Sequence, residues 1–390
     1  MPARREPASA TDTSRRAAVR GPVPRHRTRQ RRLAHGLGLG LLYLVAASAT
    51  LDAFMTQWGP QLGDRLGPSL AFEQERPFAY RIATPFVIRT ITELTPTWVE
   101  DRVLAVRDPS GRSLVDLAMQ RYSWRGGMPV AFLALNGVLL ASLLGLLASW
   151  RYLLATAVAI PRVLVDFVPA LAALLLPLSF TRGGYAYDLP ELLLASVAFS
   201  AFLERRHVVY YCVLSLAMLN KESSVLMLGW MLAQWLPPSR SVLRPALVHG
   251  ALHAVIGGGI LLALRIAFAD RPGTPAELNL LSNLEFWLSL RWMLSVQDAF
   301  ATGVPLPASL NLVNAVLLAL LLGYGWSEAA PRLRRALVGG VVIMLPLFLT
   351  FGYLDEIRVF APSFAPLIAV IACALARFYR SEDAALQRAG

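Results

Sequence analysis

Apolar residues come in blocks about twenty long, separated by short polar turns, from residue 34 nearly to the end of the chain. A membrane-crossing helix needs about 20 predominantly apolar residues. Windows of that kind fall at 34–54, 128–149, 153–180, 186–203, 246–268, 306–325, 336–353 and 359–378. A further stretch, 208–236, is too long for one span and is interrupted by Asn220, Lys221, Glu222 and Ser223. Taken as one tilted helix, it would turn Arg332, Arg334 and Arg335 outward, against the bias of cations toward cytoplasmic loops. Two short spans meeting at the outer surface remove the conflict. The pattern therefore predicts an all-α, polytopic integral membrane protein with about ten transmembrane helices and both termini in the cytoplasm.

The predicted organisation is a disordered basic cytoplasmic tail over 1–33, a single transmembrane domain over 34–380 and a short cytoplasmic tail over 381–390. The first apolar block is long for a signal peptide and lacks a clear small-residue cleavage site, so it is expected to stay as a span. Two polar segments, about 55–127 and 269–305, become outer loops. Within the second, Trp287, Leu288, Trp292 and Met293 are spaced as on an interfacial helix over 284–299. Pro161, Pro169 and Pro177 are expected to kink the third span.

Composition agrees with this pattern. The 390 residues are 56% hydrophobic and 16% charged, a balance that excludes a soluble domain with a polar shell. The formal net charge of +12 raises the question of nucleic acid. The cations, however, cluster at the N-terminus and in short turns between apolar runs, where topology accounts for them, so membrane lipids are expected partners and nucleic acid is not. Cys212 and Cys373 both lie in apolar runs and offer neither a disulfide framework nor a CxxC metal site.

The candidate chemistry collects in the outward turns. Lys221 is the only lysine in the chain and sits in an apolar stretch, where a central charge costs about 2.5–3.5 kcal/mol. It can bind an anionic phosphate or carboxylate with Glu222 holding it in place, or form a solvated ion pair at a plain turn. In Glu75-Arg76-Pro77-Phe78-Ala79-Tyr80-Arg81, the residues Arg76, Tyr80 and Arg81 flank a proline-stiffened turn that suits a diphosphate or sugar clamp, or an interfacial anchor. Asp188 and Glu191 stand in the first turn of the fourth span, where the helix dipole favours acids. That is reason enough for Glu191; Asp188, beside Tyr185 and Tyr187, is also a candidate to line a site. Glu356 and Arg358, between the last two spans, can pair across a cavity mouth or grip a ligand. Asp52, at the outer end of the first span, can act as a general base or simply end the span. Arg162 and Asp166, one turn apart, are expected to form an internal ion pair. His249 and His253 share a helix face with no third ligand nearby, so no metal site is assigned.

With Asp52 after the first span, Arg-Pro-Phe-x-Tyr-Arg over 76–81, Tyr187-Asp188 opening a span, Asn220-Lys221-Glu222-Ser223 at an outer apex and Glu356-x-Arg358 before the last span, the chain resembles the glycosyltransferase C superfamily of polytopic bacterial membrane proteins. The resemblance implies a multispanning helical fold in the bacterial inner membrane and a polyprenyl-phosphate-linked sugar as donor. Transfer to an acceptor would occur at the periplasmic or extracellular face. An acidic residue at the start of the first outer loop would act as base or bind an activating divalent metal, and no other cofactor is implied. By resemblance Asp52 takes that role, although Ala53 stands where the family has a second acid; Glu75 or Glu73 can substitute. Lys221, Arg76 and Arg81 would neutralise the phosphate leaving group. The same charges also suit a transporter or flippase of a lipid-linked or anionic solute, or a polysaccharide polymerase or ligase.

Overall fold

A computed structural model describes residues 25–234, 240–298 and 305–389. The tail predicted over 1–33 lies outside the described residues as far as residue 24, and part of the loop predicted over 269–305 lies outside them too. Among the described residues, those up to Leu42 form one unit and those from Tyr43 onward a second, which carries every site residue discussed below. Six helical segments among the described residues are long and apolar enough to cross a membrane: Leu33–Leu70, Pro129–Ala157, Arg162–Ser179, Arg244–Ala267, Pro331–Phe351 and Ile357–Glu382. Two shorter apolar helices, His207–Asn220 and Leu312–Trp326, accompany them. The protein is thus an all-α membrane protein in its main architecture, since only helices and closed barrels satisfy the backbone in lipid.

Helix α1 spans Arg25–Leu70 and does not end at residue 54, so the expected outer loop at 55–127 is largely helical. Met55, Leu62 and Leu66 are buried along one side of the extension, and that apolar stripe sustains the helix through Pro60 and Pro68. A Cβ at Gly59 would stand 2.4 Å from the Tyr122 carbonyl oxygen, so the glycine is what lets the following chain lie against α1. That chain forms α2 (Ala83–Leu94), α3 (Thr97–Ala105) and α4 (Leu114–Arg121), the last capped by the Ser113 hydroxyl. Helix α5 (Pro129–Ala157) runs past residue 149, and α6 (Arg162–Leu175) begins only after Pro161, which cannot continue a helix from its N-terminal side. Pro177 falls in a tighter turn, Leu176–Ser179, that ends α6.

Helices α7 (Asp188–Leu203) and α8 (His207–Asn220) form an antiparallel pair joined by three residues. Phe202 meets Tyr210 at one end, with ring centroids 6.0 Å apart, and Lys221 meets Glu191 at the other. The chain then reverses. Lys221 is extended at φ −159 and ψ 125, and the 3₁₀ segment Glu222–Met227 leads into α9 (Leu228–Gln234). Trp230 packs edge-on against Phe199, eleven residues into α7, so 222–234 runs back alongside α7. Helix α10 (Arg240–Ala267) returns beside α8, pairing His249 with Tyr211 and His253 with Tyr210.

The expected interfacial helix over 284–299 is not continuous. Helix α11 (Leu280–Leu288) stops before Leu290, which takes a positive φ of 57; a short turn, Arg291–Leu294, follows, and β1 (Val296–Asp298) pairs antiparallel with β2 (Pro305–Pro307). Asn283, fully buried in α11, donates to the carbonyls of Phe348, Leu349 and Gly352 and accepts from the Leu354 N–H. It thereby satisfies the open end of α13 (Pro331–Phe351). Helix α12 (Leu312–Trp326) precedes α13, and α14 (Ala361–Ala389) follows it, absorbing the tail expected over 381–390. Helices α5, α7 and α14 share the core through Leu139, Leu143, Leu192, Phe199 and Val370, and Trp150 donates to Ser196 within it.

Candidate functional site

The break after Asn220 is built by side chains from three other segments. The Asn220 amide donates to the Tyr187 carbonyl at 2.9 Å and accepts from the Thr84 hydroxyl at 2.6 Å. The Ile82 N–H takes the Leu219 carbonyl at 2.9 Å, one of the acceptors that a helix end leaves open. The residues before α2, the start of α7 and the end of α8 are therefore fixed to one another. The Glu356–Arg358 turn before α14 joins them through Asp188.

These contacts bring together seven of the residues singled out in the sequence, and an eighth, Glu191, whose place at a helix start the dipole already favours. Lys221 Nζ lies 2.6 Å from Glu191 Oε2 and 3.7 Å from Asp188 Oδ1. Arg358 reaches both Asp188 and Glu356. Arg81 forks onto Glu222, with Nη2 to Oε1 at 3.1 Å and Nε to Oε2 at 3.3 Å, and its Nη1 meets the Tyr187 hydroxyl. The side chains of Asp188, Glu191, Lys221 and Arg358 are all within 9% of full burial. Ions so buried persist only when paired. Three cations (Arg81, Lys221, Arg358) stand against four carboxylates (Asp188, Glu191, Glu222, Glu356), so the network balances to within one charge. Asp188 Oδ2 also accepts the Tyr185 N–H at 2.9 Å, whereas its buried Oδ1 accepts no hydrogen bond among the described residues. Burial works against the charge on Glu222, but the Arg81 guanidinium outweighs it and holds that carboxyl below the usual glutamate range.

Aromatic rings separate the cations. Phe78 stacks on Tyr185 at 5.4 Å between centroids, and Tyr185 on Tyr187 at 5.1 Å. Arg81 lies 4.5 Å from the Tyr187 centroid, and Arg358 4.5 Å from that of Tyr185. The stack is close enough to α1 that a Cβ at Gly184 would fall 2.4 Å from Trp58 Cδ1. A neighbouring pair, Arg182 to buried Asp355 at 2.7 Å, ties the turn after α6 to the turn before α14.

The remaining candidates lie elsewhere. Asp52 stands within α1 rather than at its end, where it takes Arg121 at 2.8 Å and the Tyr122 hydroxyl at 2.9 Å. Glu75 is exposed. Arg76 hydrogen-bonds the Gly273 carbonyl at 2.9 Å, tying the two expected outer loops together, and Tyr80 is buried. Asp166 pairs with Arg162 at 3.9 Å as expected, but more closely with Arg151 at 2.7 Å. Among the described residues, no group of three or more His, Cys, Asp and Glu is placed to hold a metal ion.

Two hollows lie on the helices that carry the site. A small cleft is lined by Arg65, Ser69, Gln74, Arg81, Tyr185 and Tyr187. A larger apolar cavity of 660 Å³ opens between α2, α3 and α5, with Leu193 of α7 at one wall. The cavity shares α2 and α7 with the site, through Val87, Ile91 and Leu193, but none of the network's ions lines it.

Fold and site together define a polytopic helical membrane protein with a buried ion network where the turns before α2, α7 and α14 meet the break after α8. No family model matches the chain, and neither a curated protein nor a solved structure matches it.

Proposed function

We propose that the protein is a membrane glycosyltransferase, of glycosyltransferase-C-like architecture with about ten spans in the bacterial inner membrane. It would move a sugar from a polyprenyl-phosphate donor to an acceptor at the periplasmic face. The observation that carries the reading is the convergence of Arg81, Tyr187, Asp188, Lys221, Glu222, Glu356 and Arg358 from four segments, in a protein that also holds a 660 Å³ apolar cavity along α2, α3 and α5. A lipid-linked donor needs both halves: a charged end for its head group and an apolar hollow of several hundred cubic ångströms for its tail. The positive-inside bias places Arg151 and Arg205–Arg206 on the cytoplasmic side, and so the network on the opposite face. Asp52 and Glu75 are the carboxylates proposed to deprotonate the acceptor.

The test is transfer of radiolabelled sugar from a polyprenyl-phosphate donor in proteoliposomes. Asp52→Asn and Glu75→Gln alter exposed or half-exposed positions, so folding survives and a loss is chemical. At least one is expected to lose about a hundredfold or more, the scale of a general base. Undiminished transfer by both, or no transfer by the unaltered protein from any such donor, refutes the reading.

A second reading, transport, is favoured by one observation. Beyond the network, His253 bridges the Val225 carbonyl and Tyr210 at 2.8 and 3.2 Å, and Tyr211 meets His249, which stacks on His207. Polar groups thus recur along α8 to its far end, as a pathway would need. Movement of a lipid-linked sugar between leaflets of proteoliposomes, without transfer, would establish that reading in place of the first.

A further inference from the structure

The sequence points to Lys221, Arg76 and Arg81 as contacts for a phosphate. Lys221 is committed to Glu191 and Asp188, Arg76 to a backbone carbonyl and Arg81 to Glu222. Around the small cleft one cation remains. Arg65, on the C-terminal extension of α1, has no carboxylate partner among the described residues and is half-buried against the site. Its guanidinium carbon lies 4.8 Å from the Phe78 centroid and 5.0 Å from that of Tyr185. Arg81 lies 4.9 Å from the same Phe78 ring, so one aromatic ring is flanked by both arginines.

We propose that Arg65 is the phosphate-binding residue of this site, and that the cleft it lines with Ser69, Gln74 and Arg81 seats the phosphate group of a polyprenyl-phosphate-linked sugar. Contact with aromatic faces occupies the flat sides of a guanidinium and leaves its in-plane N–H donors for an oxyanion. The two rings also hold the side chain in one place, so less freedom is lost when the ligand binds. Ser69 and Gln74 already hydrogen-bond each other and the Arg65 carbonyl at 2.8 and 3.2 Å, which closes the floor of the cleft. The cleft holds about 20 Å³, room for a phosphoryl oxygen rather than a whole head group. The phosphate therefore lies across its mouth, with the chain directed along α2 toward the 660 Å³ cavity. The assignment rests on the transferase reading only for the identity of the donor.

The test uses the full-length protein in detergent, with farnesyl phosphate, farnesol and inorganic phosphate as calorimetric probes. Arg65→Gln is expected to weaken farnesyl phosphate binding about tenfold to a hundredfold, the loss of charge-assisted hydrogen bonds to one oxyanion. Arg65→Lys keeps the charge without the fork and is expected to fall between, while farnesol binding stays unchanged in both. Competition by inorganic phosphate supports a subsite that reads the head group alone. Without competition, continued dependence on Arg65 supports one that reads head group and chain together. Unchanged farnesyl phosphate binding in Arg65→Gln, with the variant unfolding like the unaltered protein, overturns the proposal, as does no binding to the unaltered protein. Arg65-dependent binding in a protein that transfers no sugar would overturn the transferase reading and leave the phosphate subsite. Full-rate transfer by Arg65→Gln would do the reverse.

Discussion

Replacing Lys221 by Met removes the cation that lies 2.6 Å from Glu191 and 3.7 Å from Asp188. Arg358 remains on Asp188, but Glu191, whose side chain is 1% exposed, is left as a buried carboxylate with only the long contact to the Ser223 hydroxyl at 3.4 Å. Breaking a buried pair from one side costs about 3–5 kcal/mol, because the survivor stays desolvated and uncompensated. Glu191→Gln is milder, since Lys221 keeps Asp188 within reach. In the double variant, Lys221→Met with Glu191→Gln, neither charge of the pair remains, and most of the first loss should return. A double-mutant cycle on reversible unfolding in mixed micelles, followed by helical circular dichroism, is therefore expected to give a coupling of about 2–3 kcal/mol. Additive single losses, or a Lys221→Met cost below about 1 kcal/mol, would refute the view that this pair is a desolvated unit.

Gly184→Ala should destabilise by about 1–3 kcal/mol in the same unfolding assay, because the new methyl would sit 2.4 Å from Trp58 Cδ1 and 2.8 Å from Phe54 Cε2. Because Glu222 is held below its ordinary value, its pair with Arg81 stabilises fully above the usual glutamate range and is lost as the pH falls through the depressed value. Unfolding measured from neutral pH into acid should show that loss, and Glu222→Gln should remove its share of the pH dependence. Gly137 lines the apolar cavity and a Cβ there meets nothing within 4 Å, so Gly137→Trp should fill the cavity without a clash. Its KM for a long-chain polyprenyl donor should rise about tenfold or more while that for a short-chain donor changes little; equal effects on both would exclude the cavity as the tail site.

The periodicity of apolar blocks was sufficient for the membrane-protein class and for the position of most helices, because a lipid solvent demands long runs with internally paired backbone. The conflict between length and charge at 208–236 was likewise sufficient to place a reversal at Lys221. Boundaries set by packing were not legible. Hydropathy ends the first helix near residue 54, yet α1 continues to Leu70 because Leu62 and Leu66 find partners in chain that follows it. The 284–299 segment has helical spacing but is broken at Leu290.

For the site, residue type and cost marked Lys221, Asp188 and Arg358, since buried charge in an apolar chain must be compensated. Pairing could not be foreseen: Glu191 looked explained by the helix dipole alone, Asp52 looked like the end of a span, and Arg65 carried no signal at all. What the sequence by itself determined was which residues are too costly to stand alone in lipid. Which charge neutralises which, and so which cation is left over for a ligand, was decided only by the tertiary structure. Ion pairing depends on separations of a few ångströms between segments up to 173 residues apart, such as Arg182 and Asp355, and those separations exist only after the helices have packed.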